Sequence, residues 1–420
     1  MIDLKSKTAI VVDNGLFCDL AARLGRDFGK VYYWAPAYSG FPKPNISWVG
    51  KGIDGIEVIN DPFGDVYDKA DIWIFPDVYF GELQTRLESQ GKYVWGSRMG
   101  EQLELDRPGS KKLFTKLGLP VGHYEVVHGM DNLRGYLKSK KNVWVKISYF
   151  RGIRETFQAI DYKMVEPVLD DMEHDLGAFK NVIDFVVEDD LPDRFEVGVD
   201  CYCIDGQFPT KTLTGVEIKD VGYVGIFADY DKIPEPVTRF DRVISPVMRR
   251  YGYRGFYSTE VRIGKDQVPY MIDFCARAGS PPNELYQEFY KNISEIIWQG
   301  AHGICVDPEP VAKYGAEALI HSAWADKNWQ PVDFPEEYRK FIKLRNPTRI
   351  AGRYYAIPQA VGLPEIGAVV GFGNTMQAAI DMVTKIAKEV RGYYIEVKTE
   401  SFDQAQEEIE KAEKFGIKIF

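Results

Sequence analysis

Cysteine is scarce in this 420-residue chain. Five thiols, an odd number, do not make the disulfide framework of a small secreted domain. Long apolar runs are missing too: nothing reaches the roughly 18 apolar residues of a membrane span, so no membrane insertion is expected. The first fifteen residues pass from Lys5 and Lys7 straight into a strand-like stretch. They lack the apolar core and small-residue cleavage site of a signal peptide. Positive charge is not in excess. A net charge of −10 and a pI near 5.3 leave no basic face for a phosphate backbone, so broad nucleic-acid binding is not expected, although a local basic pocket is compatible. The G-x-x-x-x-G-K-[ST] pattern is absent, and no usable G-x-G-x-x-G follows a strand. These absences leave a folded protein of the reducing cytoplasm.

The composition, 45% hydrophobic and 14% aromatic, is that of a chain with several cores, and the length suits about two to four domains. Short β-type runs at 8–12, 31–34, 72–75 and 93–95 alternate with helical stretches, including Leu16, Leu20 and Leu24 at helical spacing and 82–90. This alternation predicts an open parallel α/β layer over residues 1–108. After Gly109 the texture changes. A helix over 110–117 stops at Gly118-Leu119-Pro120, and β-runs at 124–127, 143–147, 185–188 and 195–204 enclose a helical pattern over 165–179. Asp205-Gly206 and the segment 264–267 read as turns between antiparallel strands. The predicted class is α/β and α+β multidomain: the open layer, a middle unit at 109–340 with a subdomain near 120–205, and a small α/β closing domain at 341–420.

The hairpin around 255–277 carries the sharpest chemical signal. Glu260 and Asp273 lie on successive strands with a short turn between them, and antiparallel pairing can set them side by side on one face. Opposed like charges are costly unless a cation neutralises them, and hard oxygen ligands suit magnesium. On spacing alone, two acids on a solvent-facing hairpin fit equally well. Arg277, four residues on, offers a planar fork for phosphate or carboxylate. The strand 142–146 ends in Lys146, followed by Gly152 between Arg151 and Arg154, a composition suited to a loop over phosphates; taken alone, Lys146 is a strand-end surface lysine. The strand 185–188 opens into the acidic connector Glu188-Asp189-Asp190, with Glu196 on the next strand; in isolation this reads as a solvated acidic turn. Cys201 and Cys203 have no partner set for zinc and read as small buried hydrophobes, and Cys275 has no histidine near it in sequence to make it a nucleophile.

The order of these elements, Ser110-Lys111, Lys146, Glu188, Glu260, Asp273 and Arg277, resembles the ATP-grasp superfamily. Within it, Asp273-Phe-Cys-Ala-Arg277 resembles the "EFNAR" stretch of phosphoribosylamine–glycine ligase, 109–120 its "SKxFxK…GIP" segment, and 369–380 its C-terminal "VxxxGxTxxxA" segment. The resemblance implies an ATP-dependent carboxylate–amine (or carboxylate–thiol) ligase that forms an acyl phosphate, with ATP and Mg2+ as cofactors. Glu260 and Asp273 would bind magnesium. Lys111 (or Lys112), Lys146, Arg151 and Arg154 would contact phosphates, Glu188 would mark the adenine hinge, and Glu196 would lie near the ribose. Arg277 would steady the transferred phosphoryl group. Asn14, Asp77, Glu217 and Lys219 are candidates for the cleft where a small-molecule carboxylate and an amine meet. Relatives are monomers or homodimers. The metal motif diverges: Cys275 stands where the family has a metal-binding asparagine, Asp273 is shorter than the usual glutamate, and the loop after Lys146 has few glycines. A relative with another substrate, or a nucleotide binder without turnover in a regulatory or scaffold role, follows from those departures.

Overall fold

A computed structural model describes residues 2–36, 45–148, 156–219, 221–358 and 365–419. The N-terminal layer is a five-stranded sheet in the order Glu57–Val58, Lys30–Trp34, Thr8–Val12, Ile72–Ile74, Tyr93–Trp95, and every pair in it is parallel. Residues 9–12 are fully buried, as a central strand covered on both faces requires. The strand order reverses between Thr8–Val12 and Ile72–Ile74, which leaves a crevice beyond their carboxyl ends where Asp13, Asn14 and Asp77 lie.

Three antiparallel sheets follow, the smallest being Gln330–Val332, Arg353–Ala356 and Pro347–Ile350 in that order. A four-stranded sheet, ordered Tyr124–His128, Asp184–Asp189, Val143–Ile147, Thr156–Ala159, is backed by helices Met130–Leu137 and Tyr162–Leu176 around a core of its own. The second helix starts at Asp161, whose side chain accepts from Met164 N. Helix Arg107–Lys116 begins at Asp106 in the same way, with Pro108 in its first turn, and stops before Gly118 at φ +76°.

The largest sheet has nine strands. Its main path is Pro269–Cys275, Arg254–Ile263, Phe195–Ile204, Lys211–Ile218, Gly222–Asp229, Tyr314–Ser322, Glu365–Gly373 and Ile342–Leu344, and Ile395–Val397 also pairs with Tyr314–Ser322. Middle and C-terminal segments therefore share one sheet. The turn at Asp205-Gly206 has φ of 50° and 83°, the left-handed pair that a two-residue hairpin demands. Tyr314–Ser322, almost wholly buried in the sheet, has no counterpart among the expected elements: its sequence YGAEALIHS does not alternate, because both faces are covered. No helix among the described residues is long and apolar enough to cross a membrane. The expected α/β and α+β multidomain class is borne out.

The N-terminal layer is tied to the C-terminal segment through Asp19 on helix Cys18–Leu24. Its carboxylate accepts from Leu344 N at 2.6 Å, pairs with both Nη atoms of Arg339, and is 4% exposed. Breaking a buried pair leaves a cation without compensation. Asp19→Ala is expected to destabilise the chain by about 3–5 kcal/mol, read as a lower urea midpoint.

Candidate active site

Lys146 is the penultimate residue of the strand Val143–Ile147 in the four-stranded sheet, and its ammonium crosses to the large sheet. It donates to Ile272 O at 2.8 Å, meets Asp273 Oδ2 at 3.1 Å, and lies 3.5 Å from Glu188 Oε2. Burial opposes its charge, but Asp273 and Glu188 outweigh burial and raise its pKa. Arg107 pairs with Asp273 Oδ1 and donates to Ile147 O. Burial alone would push the Asp273 carboxyl up; Lys146, Arg107 and Lys111 together hold it well below the usual carboxylate range. Lys111 lies deeper, pairs with Glu188 Oε1 at 2.9 Å and donates to Met271 O at 3.1 Å. Burial lowers its pKa.

Glu260 stands directly opposite Asp273 in the hairpin register, beside a bulge at Val261. Its surroundings are different. Burial, then Glu196 and Asp273, push its carboxyl up to about 8, against the weaker pull of Lys146 and Lys219. Glu217, on the same face two strands away, is also raised, by burial and then by Glu260 and Glu196. The sheet face thus carries four carboxylates with unequal neutralisation. Glu196 takes Arg262 at 2.9 Å, Asp273 takes Arg107 and Lys146, while Glu260 and Glu217 crowd each other. Arg277 donates from Nε to Glu104 Oε1 at 2.9 Å, and Glu104 also accepts from Ala276 N. Cys275 lies beside them, and burial drives its thiol pKa up, so it is not a ready thiolate.

These groups line one cavity of about 620 Å³, within the range of small-molecule sites. Of the residues expected from sequence, Lys146, Glu188, Glu196, Glu217, Lys219, Glu260, Asp273 and Arg277 line it. Lys111 does not; it sits behind Glu188. Asn14 and Asp77 hydrogen-bond each other at 3.3 Å at the parallel-sheet crevice, and Leu16 is that layer's contribution to the cavity wall. Arg151 and Arg154 lie outside the described residues. The sequence reading did not find Arg107, Trp144, Arg262, Glu104 or Arg345. Trp144 and Arg262 were within reach, since each is two residues from a chosen one and so on the same strand face. Trp144 donates from Nε1 to Asp190 at 2.9 Å, and Lys219 and Arg262 lie 5.4 and 5.7 Å from its ring centre.

No protein-family model and no curated protein matches the sequence. Solved structures do. Phosphoribosylamine–glycine ligase of Thermotoga maritima superposes with a TM-score of 0.68 at 15% identity, covering 93% of this chain and 98% of that one. The chain has the ATP-grasp fold. The biotin carboxylase domain of the Hydrogenobacter thermophilus 2-oxoglutarate carboxylase, crystallised with MgADP and bicarbonate, superposes at 0.67 and 11% identity over 97% and 98% of the two chains. An L-amino acid ligase of Bacillus licheniformis gives 0.58 at 16% identity over 93% and 99%.

Proteins of the ATP-grasp fold have been crystallised with ADP and Mg2+, and the residues here can be tested against that pair. Among the described residues no three His, Cys, Asp or Glu side chains converge on a metal position. A two-carboxylate site is what magnesium accepts when phosphate oxygens and water complete its shell. Glu260, whose carboxyl is pushed up by burial and then by Glu196 and Asp273, and Asp273 opposite it fit a divalent cation on those terms. The sign of the pH effect follows. The folded state keeps a proton on Glu260 that the unfolded chain releases near 4.5, so stability falls as pH rises from there through about 8. Without divalent cations, Glu260→Gln should lose less stability than the parent between pH 5 and 8.5 in thermal melts. Parallel curves would contradict a protonated Glu260.

Proposed function

We propose that this chain is an ATP-dependent carboxylate–amine ligase that works through an acyl phosphate. The strongest support is the Glu260–Asp273 register on the wall of a cavity that Lys146 and Arg277 also line. ATP with magnesium supplies, when bound, an activated phosphoryl group and the charge to neutralise its transfer.

The chain's own part is positioning and electrostatics. Glu260 and Asp273 would hold the metal. Lys146, already poised between Asp273 and Glu188, would turn to phosphate oxygens, leaving Arg107 as the partner of Asp273. Lys111 would hold Glu188 in place beneath, at 2.9 Å, rather than touch phosphate. Arg277, its guanidinium fixed by Glu104, would orient the transferred group. Glu188 and the connector after it would border the nucleotide end, with Glu196 and Lys219 beside it. A carboxylate and an amine would meet at the opposite end.

One observation favours a second reading, nucleotide binding without turnover. Cys275 faces the cavity two residues after Asp273, and a thiol whose pKa is raised by burial is a poor magnesium ligand.

Mg-ADP at about a hundredfold over its Kd should stabilise the chain by about 2.7 kcal/mol. No thermal shift with either ATP or ADP at millimolar concentration would sink both readings. Where a carboxylate and an amine stimulate ADP release, Asp273→Asn should cut it about a hundredfold or more; unchanged turnover would remove Asp273 from the metal site. Cys275→Asn is expected to tighten magnesium binding, measured as the Mg2+ dependence of the ADP shift.

A further inference from the structure

At the end of the cavity away from Trp144, Arg345 emerges just after strand Ile342–Leu344, 7% exposed. Its Nε donates to Glu284 Oε1 at 3.2 Å and its Nη2 to Ser280 Oγ at 2.7 Å. Ser280 Oγ in turn donates to the same Glu284 oxygen at 2.6 Å. Nη1 lies 3.8 Å from Glu365 Oε2, beyond hydrogen-bond reach. The Nε–Nη2 edge of the guanidinium is therefore fixed, while Nη1 has only the long ion pair to Glu365 on the cavity wall.

The fixing has a second layer that does not line the cavity. Glu317, on the central strand Tyr314–Ser322, is fully buried, and its Oε2 accepts from Leu285 N at 3.2 Å. Its Oε1 and Glu284 Oε2 are both buried, and neither has a donor from any other group among the described residues. The Glu284 carboxyl lies within reach of the Glu317 carboxyl. Two carboxylates in contact cannot both be ionised next to a single arginine, and a proton between them satisfies both orphaned oxygens at once.

We propose that Glu317 is a positioning residue: one proton held between it and Glu284 locks Arg345, whose open edge docks an oxyanion of the second substrate. The inference rests on the ligase reading for what the anion is, not for its binding. Burial and the charge of Glu284 both drive the Glu317 carboxyl upward, against Arg345. The other groups facing the pair are Tyr223, which is opposite Glu317 in register and gives its hydroxyl proton to Asp200, and Tyr286 from the helix Asn283–Phe289. Glu365 and His321 flank Arg345. The shared chemistry is a carboxylate or a phosphate.

The test titrates inorganic phosphate and, separately, malonate into the parent and three variants, with the tighter anion naming the source. Arg345→Met and Glu317→Ala should each weaken binding about tenfold or more. Glu317→Gln, whose amide can donate where the proton stood, should stay within about threefold of the parent. Infrared difference spectra at neutral pH should contain a protonated-carboxyl band that Glu317→Gln removes. That measurement does not depend on the alanine variant folding. Parent-like binding by Glu317→Ala or Arg345→Met, a glutamine variant as weak as alanine, or no lost carboxyl band would overturn the proposal. Mg-ADP stabilisation is scored in parallel. Its absence beside Arg345-dependent anion binding sinks the ligase reading alone, and its presence without that dependence sinks this inference alone.

Discussion

The cavity depends on how the negative charge of Asp273 is neutralised. Two cations from different parts of the fold converge on that carboxylate, Arg107 from the start of helix Arg107–Lys116 and Lys146 from the four-stranded sheet. Either one would be expensive to bury alone. With Asp273, Glu188 and Lys111 they form a five-residue chain of alternating charge, Arg107–Asp273–Lys146–Glu188–Lys111, that joins the small sheet to the large one. The same arrangement explains why Glu260 differs so much from its register partner. Asp273 takes Arg107 and Lys146, while burial and then Glu196 and Asp273 push the Glu260 carboxyl up. A cation arriving with a ligand would find one carboxylate ionised and one ready to ionise. That asymmetry suits a site that fills reversibly, because no permanent unpaired charge has to be stored.

The two ends of the cavity solve the problem of buried charge in different ways. The end near Trp144 uses exposed or half-buried cations, Lys219 and Arg262, over an aromatic face, where solvent shares the cost. At the Arg345 end nearly everything is buried, and the excess negative charge is removed by a proton rather than by a second cation. The strand Tyr314–Ser322 makes this possible because it runs through the middle of the large sheet, and its side chains reach the floor of the site without access to water.

Much of this was legible in the sequence, and the reason lies in local patterning. Local patterning accounts for the turn and its first pairs, Ile263 with Pro269 through Val261 with Met271, but Glu260 meets Asp273 only through the bulge that leaves Ile272 unpaired; period-two spacing from Lys146 and Glu260 points to Trp144 and Arg262. Arg107 was hidden because its partner lies 166 residues away and nothing near it in sequence signals a carboxylate. Lys111 illustrates the reverse. The resemblance puts it among the phosphate contacts, yet its burial beside Glu188 depends on the packing of two sheets, which no local window contains. Glu317 sits on a strand and Arg345 follows one that are each buried on both faces, so neither polar side chain could be assigned a face from the pattern.

The bond between Asp19 and Leu344 has a consequence for the order in which the molecule is made. The two residues are 325 apart, so a nascent chain carries a completed N-terminal sheet long before the partner of that carboxylate leaves the ribosome. During that interval Asp19 is hydrated and the face of helix Cys18–Leu24 is uncovered. Residues 339–344 supply the partners of that carboxylate only late in synthesis, and Ile342–Leu344 among them is an edge strand of the sheet that carries the cavity.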